Sequence, residues 1–344
     1  MTVNPLSLPT SPDRPALFAA ARGTAPFFDL RLKLWVVLDD EQVSELLLDG
    51  RLVAPDLDAA LQTVERHYGV ALPNLRWAAG ELPLVLNGER HAKVRGDIAK
   101  LLSREKRNSD AWRQPAADII RGAFATTGPV EAVETLLLPI VNAVFATLTQ
   151  VDATFAPLTL TRVFDHYASY RHLMVAETEI ATLRERLTAA GIPDETIGTH
   201  VATVVLGRDS LLASLSEALI DFAVASRGRR LDQPVAKAPR LFGGVAVGER
   251  LVEEAFVFRG ARFAAGQRVR LYFQGYSYRE AEADRLAMFG AGKHSCLGRA
   301  LALEVWALLA AEIRSVPLTV RSVEFEYVRN SMFTMPKLIN LSLG

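Results

Sequence analysis

The chain has 344 residues, half of them apolar and 23% charged, enough apolar material for a sizeable folded core. Lys plus Arg and Asp plus Glu both total 39, so no net field draws the chain to nucleic acid or an anionic membrane. A single cysteine excludes an intramolecular disulfide framework and fits a reducing, cytoplasmic setting, and the start, with Pro5, Pro9, Pro12 and Pro15, lacks the charged-then-apolar layout of a signal peptide.

In chain order, Leu34 to Leu38 reads as a strand and Asp39-Asp-Glu-Gln as a helix start with acidic residues in its first turn. Arg90 to Lys106 predicts a basic amphipathic helix, and helical periodicity runs through 128–152 and 157–190. The most apolar stretch, Thr135 to Val151, is broken by Pro139 and Asn142 and falls short of the ~20 apolar residues that cross a bilayer. At Gly191-Ile-Pro193-Asp194-Glu195 a proline and two carboxylates mark a helix N-terminus, and the helical pattern continues to Ala225. Arg227 to Arg230, with Pro234 and Pro239 beyond, reads as a solvated loop. Residues 245–273 switch to strand character with turns at Gly260 and Gly266, Leu297 to Ile313 is again helical, and strands close the chain. With no repeat or linker, 1–344 reads as a single domain, mainly α with a minor β part.

One stretch carries chemistry: Phe289-Gly-Ala-Gly292-Lys-His294-Ser-Cys296-Leu-Gly298-Arg. Gly290 and Gly292 allow a tight turn and close approach to a flat ligand. Cys296 stands just ahead of a helix, whose N-terminal amides favour the thiolate, the form that ligates metal. Gly298 lets that helix come close to a macrocycle. A lone cysteine is most often a small buried hydrophobe, but F-G-x-G-x-H-x-C-x-G ahead of an apolar helix resembles the haem-binding loop of the cytochrome P450 superfamily. The resemblance implies haem b (iron protoporphyrin IX) with Cys296 as the axial ligand, and a P450-like fold. It also implies a monooxygenase-type oxidoreductase fed by a ferredoxin and a ferredoxin reductase, acting on a small organic substrate in specialised metabolism.

Other landmarks of that family follow in order. His91-Ala-Lys-Val-Arg95 places two donors about one helical turn apart, able to reach one carboxylate; the resemblance implies that they hold a haem propionate. Leu206-Gly207-Arg208-Asp209-Ser210 stands midway along the long helix. By resemblance Gly207 opens an oxygen groove, and Asp209 and Ser210 form an acid–alcohol proton relay. Leu206 stands where the family has a small residue, and Ser210 where threonine is commoner. Arg250 and His294 complete the propionate set. Lys237 stands where the family has the glutamate of a Glu–Arg pair, with Arg240 as the surviving arginine and Pro239 as a helix breaker. The chain is short for the family, with the F–G, J–K and meander regions cut down. That trimming keeps two other readings open: a divergent haem-thiolate enzyme doing peroxide-driven or redox-neutral chemistry, and a non-catalytic haem-binding or docking homologue. His67, His166, His172 and His200 read as surface or hydrogen-bonded histidines, and Trp77 as either pocket lining or packing.

Overall fold

A computed structural model of the chain describes residues 4–105, 109–125, 127–234 and 239–344. Pro15 opens helix α1 (Arg14–Ala21), at a position where a missing N–H costs nothing. A hairpin of β1 (Phe27–Asp29) and β2 (Leu34–Val37) leads into α2 (Asp40–Leu47), capped by the Asp39 carboxylate, which accepts from the Gln42 amide. Both elements agree with the sequence reading. β3 (Leu52–Val53), α3 (Leu57–Tyr68) and α4 (Pro73–Ala79) precede α5 (Gly88–Glu105), the basic amphipathic helix, and α6 (Asp110–Ala123).

The run 128–152 is not one helix. Gly128, at φ 134°, and Pro129 hold extended chain, and β4 (Gly128–Glu131) pairs with the last strand of the protein. A π-type turn over Val133–Leu137 then feeds α7 (Leu138–Thr149), with Pro139 in its first turn. The run 157–190 also splits, into a 3-10 turn at Leu160–Phe164 and α8 (Tyr170–Ala189). Between them the Asp165 carboxylate accepts from Ser331 and Asn330, distant contacts that periodicity cannot register.

α9 (Asp194–Ala225) has the expected limits, and its 32 residues make a rod of roughly 48 Å that is buried over most of its length. β5 (Val247–Val252), β6 (Phe256–Phe258), β7 (Ala261–Phe263) and β8 (Arg268–Tyr272) follow, then α10 (Glu282–Arg285), α11 (Arg299–Ile313), β9 (Val320–Tyr327) and β10 (Pro336–Leu343). One sheet has the order β1-β2-β8-β5-β3, with β2 and β8 parallel; a second has β4-β10-β9; β6 and β7 make a two-stranded ribbon. Buried apolar side chains form one connected cluster around α9.

The protein is mainly helical with a minor sheet part, as expected. Only the 3-10 turn and α8 separate α7 from α9, and the described residues between α9 and β5 form no helix. Lys237 lies outside the described residues; Arg240 pairs with Asp221 of α9 at 3.5 Å. No described helix is long and apolar enough to cross a membrane.

Candidate functional site

A mainly apolar cavity of about 260 Å³ lies between α5, α7, α9, the 243–245 loop and the cysteine loop ahead of α11. Gly290 (φ 77°) and Gly292 (φ 64°) turn that loop in the left-handed region, where a side chain is strained. The Cys296 amide donates to the Phe289 carbonyl at 2.7 Å, so the loop closes on its own backbone. Gly298 caps α11. Phe289, His294, Cys296 and Gly298 all line the cavity, whereas Gly292 only shapes the turn. The Cys296 thiol is accessible, and the space that it faces is the cavity. Burial pushes the free thiol up; the Gly298 amide, the Arg95 guanidinium and the Arg299 amide pull it down without prevailing.

Four basic side chains cluster next to the cysteine loop, and three of them, Arg95, Arg250 and His294, line the cavity with Cys296. His91 and Arg95 share one face of α5, Arg250 comes from β5, and His294 from the cysteine loop. The His91 and His294 rings are 4.4 Å apart, and the Nε2 atom of each is buried without a hydrogen-bond partner. Arg250 is 4% exposed and donates from Nη1 only to the neighbouring Glu249 carbonyl, at 2.7 Å; burial pushes it down to about 10. Among the described residues, neither Arg95 nor Arg250 has a carboxylate partner. Glu249 is engaged elsewhere, by His166, Arg268 and Arg270. Burial, Arg250 and the other cations push His294 down to about 3. Buried polar atoms without a partner cost free energy, and an anionic group among these side chains would supply one.

On α9, Leu206, Gly207 and Ser210 line the cavity, but Asp209 does not. Neighbouring helix residues point about 100° apart, so an adjacent acid and alcohol do not share a face. Ser210 Oγ donates back to the Leu206 carbonyl at 2.6 Å. The buried Asp209 pairs with Arg208 at 2.9 Å and accepts from Thr161 Oγ1 at 3.0 Å. The alcohol on Asp209 is thus Thr161, which itself lines the cavity, rather than Ser210. At Gly207 an added Cβ would come within 2.7 Å of the Phe145 ring, so the notch in α9 is filled by α7.

Thr161, Phe145 and Phe164 were not singled out in the sequence, because nothing local marks a cavity wall. Gly243-Gly244 was legible only as too isolated for a phosphate loop. In the fold an added Cβ at Gly244 would meet the Ser210 carbonyl oxygen at 2.5 Å, so this glycine brings the loop onto α9. Trp77 is not among the cavity-lining residues; it lies under the Arg184 guanidinium, 4.0 Å from ring centroid to Cζ. His166 bonds Glu249 and His172 caps α8, while His67 packs on Tyr68 and His200 is buried in α9. Among the described residues, no three His, Cys, Asp or Glu side chains group to hold a metal ion.

No family model and no curated protein matches the chain. Solved structures do match. CalO2 is 18% identical with a TM-score of 0.74 over 98% of both chains. Epothilone B-bound cytochrome P450epoK is 16% identical, with a TM-score of 0.71 over 97% of this chain and 98% of that one. P450BioI, solved with hexadec-9Z-enoic acid ligated acyl carrier protein, is 13% identical, with a TM-score of 0.66 over 98% and 100%. At such identities the likeness is one of fold.

Proposed function

The chain has the cytochrome P450 fold, and from that premise we propose that it is a haem-thiolate oxidoreductase of monooxygenase type. The observation that carries the reading is the cavity-facing Cys296 thiol with four basic side chains near it, His91 and Arg250 buried and Arg95 and His294 half-buried, that have no carboxylate partner among the described residues. Those residues fit haem b: two carboxylates of one ligand would satisfy His91, Arg95, Arg250 and His294 together, and the thiol would meet its iron. Bound there, the haem would supply the electron-transfer and dioxygen chemistry that no side chain offers. Electrons would come from a ferredoxin and its reductase, as the family resemblance implies.

The chain's own residues do the rest. The Phe289–Cys296 backbone bond holds the main chain that carries the thiol. Arg95 and Arg250 orient the carboxylates by charge-assisted bonds. The apolar wall, with Leu206 and Phe145 in it, excludes water and selects a small, mainly apolar organic substrate. Ser210 and Thr161 bring hydroxyl groups to that wall, and both hydroxyl protons are already donated into the protein.

A second reading is favoured by one observation: Phe145 fills the notch at Gly207 where the resemblance expects an oxygen groove. It holds that the chemistry is peroxide-driven or redox-neutral.

The absorption spectrum of the reduced, carbon-monoxide-bound protein tests thiolate ligation. A strongly red-shifted Soret band that disappears in Cys296→Ala supports it, and an apoprotein after haem-supplemented expression overturns it. Turnover with a reductase system against turnover with hydrogen peroxide alone then separates the two readings. A protein that holds haem but shows no substrate-induced spectral shift would instead be a non-catalytic homologue.

A further inference from the structure

Asp209 is fully enclosed, and every contact of its carboxylate leads to one segment. Thr161 Oγ1 donates to Oδ2 at 3.0 Å and also lies 3.3 Å from the Leu158 carbonyl, and Arg208 Nη1 donates to Oδ1 at 2.9 Å. Arg208 in turn bonds the Phe155 carbonyl through Nη2 and Asn142 Oδ1 of α7 through Nε, at 3.2 Å in the second case. The adjacent Arg208–Asp209 pair therefore grips residues 155–161 from α9 and braces them on α7.

That segment needs a grip. Leu158 is 1% exposed and adopts φ 65°, in the left-handed region that disfavours side chains other than glycine. Such a conformation persists only where its surroundings impose it. Thr161 Oγ1 stands between the Leu158 carbonyl, at 3.3 Å, and Asp209 Oδ2, at 3.0 Å, so the grip reaches that residue. Three and six residues on, Thr161 and Phe164 form part of the cavity wall.

We propose that Asp209 is a positioning residue, whose carboxylate holds the Phe155–Phe164 segment in the strained turn that makes it a wall of the cavity. The role needs no bound cofactor and goes beyond the proposed reaction. It also differs from proton delivery by Asp209, since the carboxylate is closed off from the cavity behind Thr161.

Backbone hydrogen exchange of the 344-residue chain, prepared without haem, tests the grip. In Asp209→Asn the amides of residues 155–164 exchange about tenfold faster, as expected on losing one hydrogen bond to a charged group, while those of β5, β8 and α11 keep their rates. Thr161→Val, which removes one donor and keeps the shape, gives the same local pattern, and Thr161→Ser restores the parental one. Thr161→Val carries the test if Asp209→Asn does not fold. On haem-loaded protein, the affinity of the cavity probe 4-phenylimidazole, read from its absorption change, falls about tenfold in Asp209→Asn and Thr161→Val and recovers in Thr161→Ser. Parental exchange in 155–164, acceleration spread evenly over the chain, or local loosening with unchanged probe affinity each overturns the proposal. The exchange measurement is independent of haem, so its failure and the failure of the haem reading are told apart.

Discussion

The imidazoles of His91 and His294 lie 4.4 Å apart, tilted by 50°, and each ends in a buried Nε2 that bonds nothing among the described residues. One ring comes from α5 and the other from the cysteine loop, so the pair joins the two elements that carry the candidate propionate contacts and the candidate iron ligand. With Arg95 and Arg250 beside them, the rings make a cluster of donors whose electrostatics oppose the fold unless an anion arrives.

Arg250→Met is accordingly expected to act in opposite senses on the two forms. Removing an unpaired buried cation stabilises the haem-free chain by about 1–3 kcal/mol. The same change removes a charge-assisted bond and weakens haem retention roughly 10- to 100-fold. Thermal melting of the apoprotein and the rate of haem transfer to a competing acceptor protein measure the two effects.

Gly207→Ala forces a Cβ to within 2.7 Å of the Phe145 ring. Overpacking of this kind costs about 1–3 kcal/mol. Phe145→Leu in the same chain should recover much of that loss, giving a clear coupling energy in a urea-denaturation double-mutant cycle.

Gly244→Ala should be worse, at about 3 kcal/mol or more, because backbone atoms cannot rotate aside. The added Cβ would meet the Ser210 carbonyl at 2.5 Å and the Ser214 amide at 2.6 Å, and the bond from the Gly244 amide to Ser214 Oγ would be lost with the approach. Comparing urea midpoints of the two alanine variants checks the order.

Glu249 links stability to acid. Burial alone would raise it, but His166, Arg268 and Arg270 prevail and hold it at about 2, against 4.5 when unperturbed. A lowered carboxylate contributes stability that is complete above pH 4.5 and is lost as pH falls towards 2. Over that window the loss is about 3 kcal/mol. Glu249→Gln should be less stable at neutral pH and should show a flatter acid limb in melting temperature against pH.

Arg14 and Glu217 form a buried pair at 2.5 Å that joins α1 to α9, with the Tyr327 hydroxyl donating to Glu217 at 2.6 Å. Arg14→Met strands a carboxylate and should cost about 3–5 kcal/mol, while Arg14→Met with Glu217→Leu should cost clearly less. Chemical denaturation of the single and double variants decides it.

What could be read from the sequence was local. Pro193 and the carboxylates after it mark the start of α9, and the glycine spacing around Cys296 marks the loop, because each signal acts within a few residues. The strand at Gly128–Glu131 was missed because its partner is the Asn340–Leu343 end of the chain. Asp209 was visible as an acid in a family position, yet its bond from Thr161 depends on how a distant turn docks. The donors of the candidate haem site were legible residue by residue; their lack of counter-ions is a property of the assembled surface.

The backbone bond from Cys296 to Phe289 also bears on the order of assembly. A ligand sulfur held by main-chain geometry is in place as soon as the loop folds. On the proposed haem reading, loading would be a bimolecular docking event whose rate scales with free haem and not with the speed of folding.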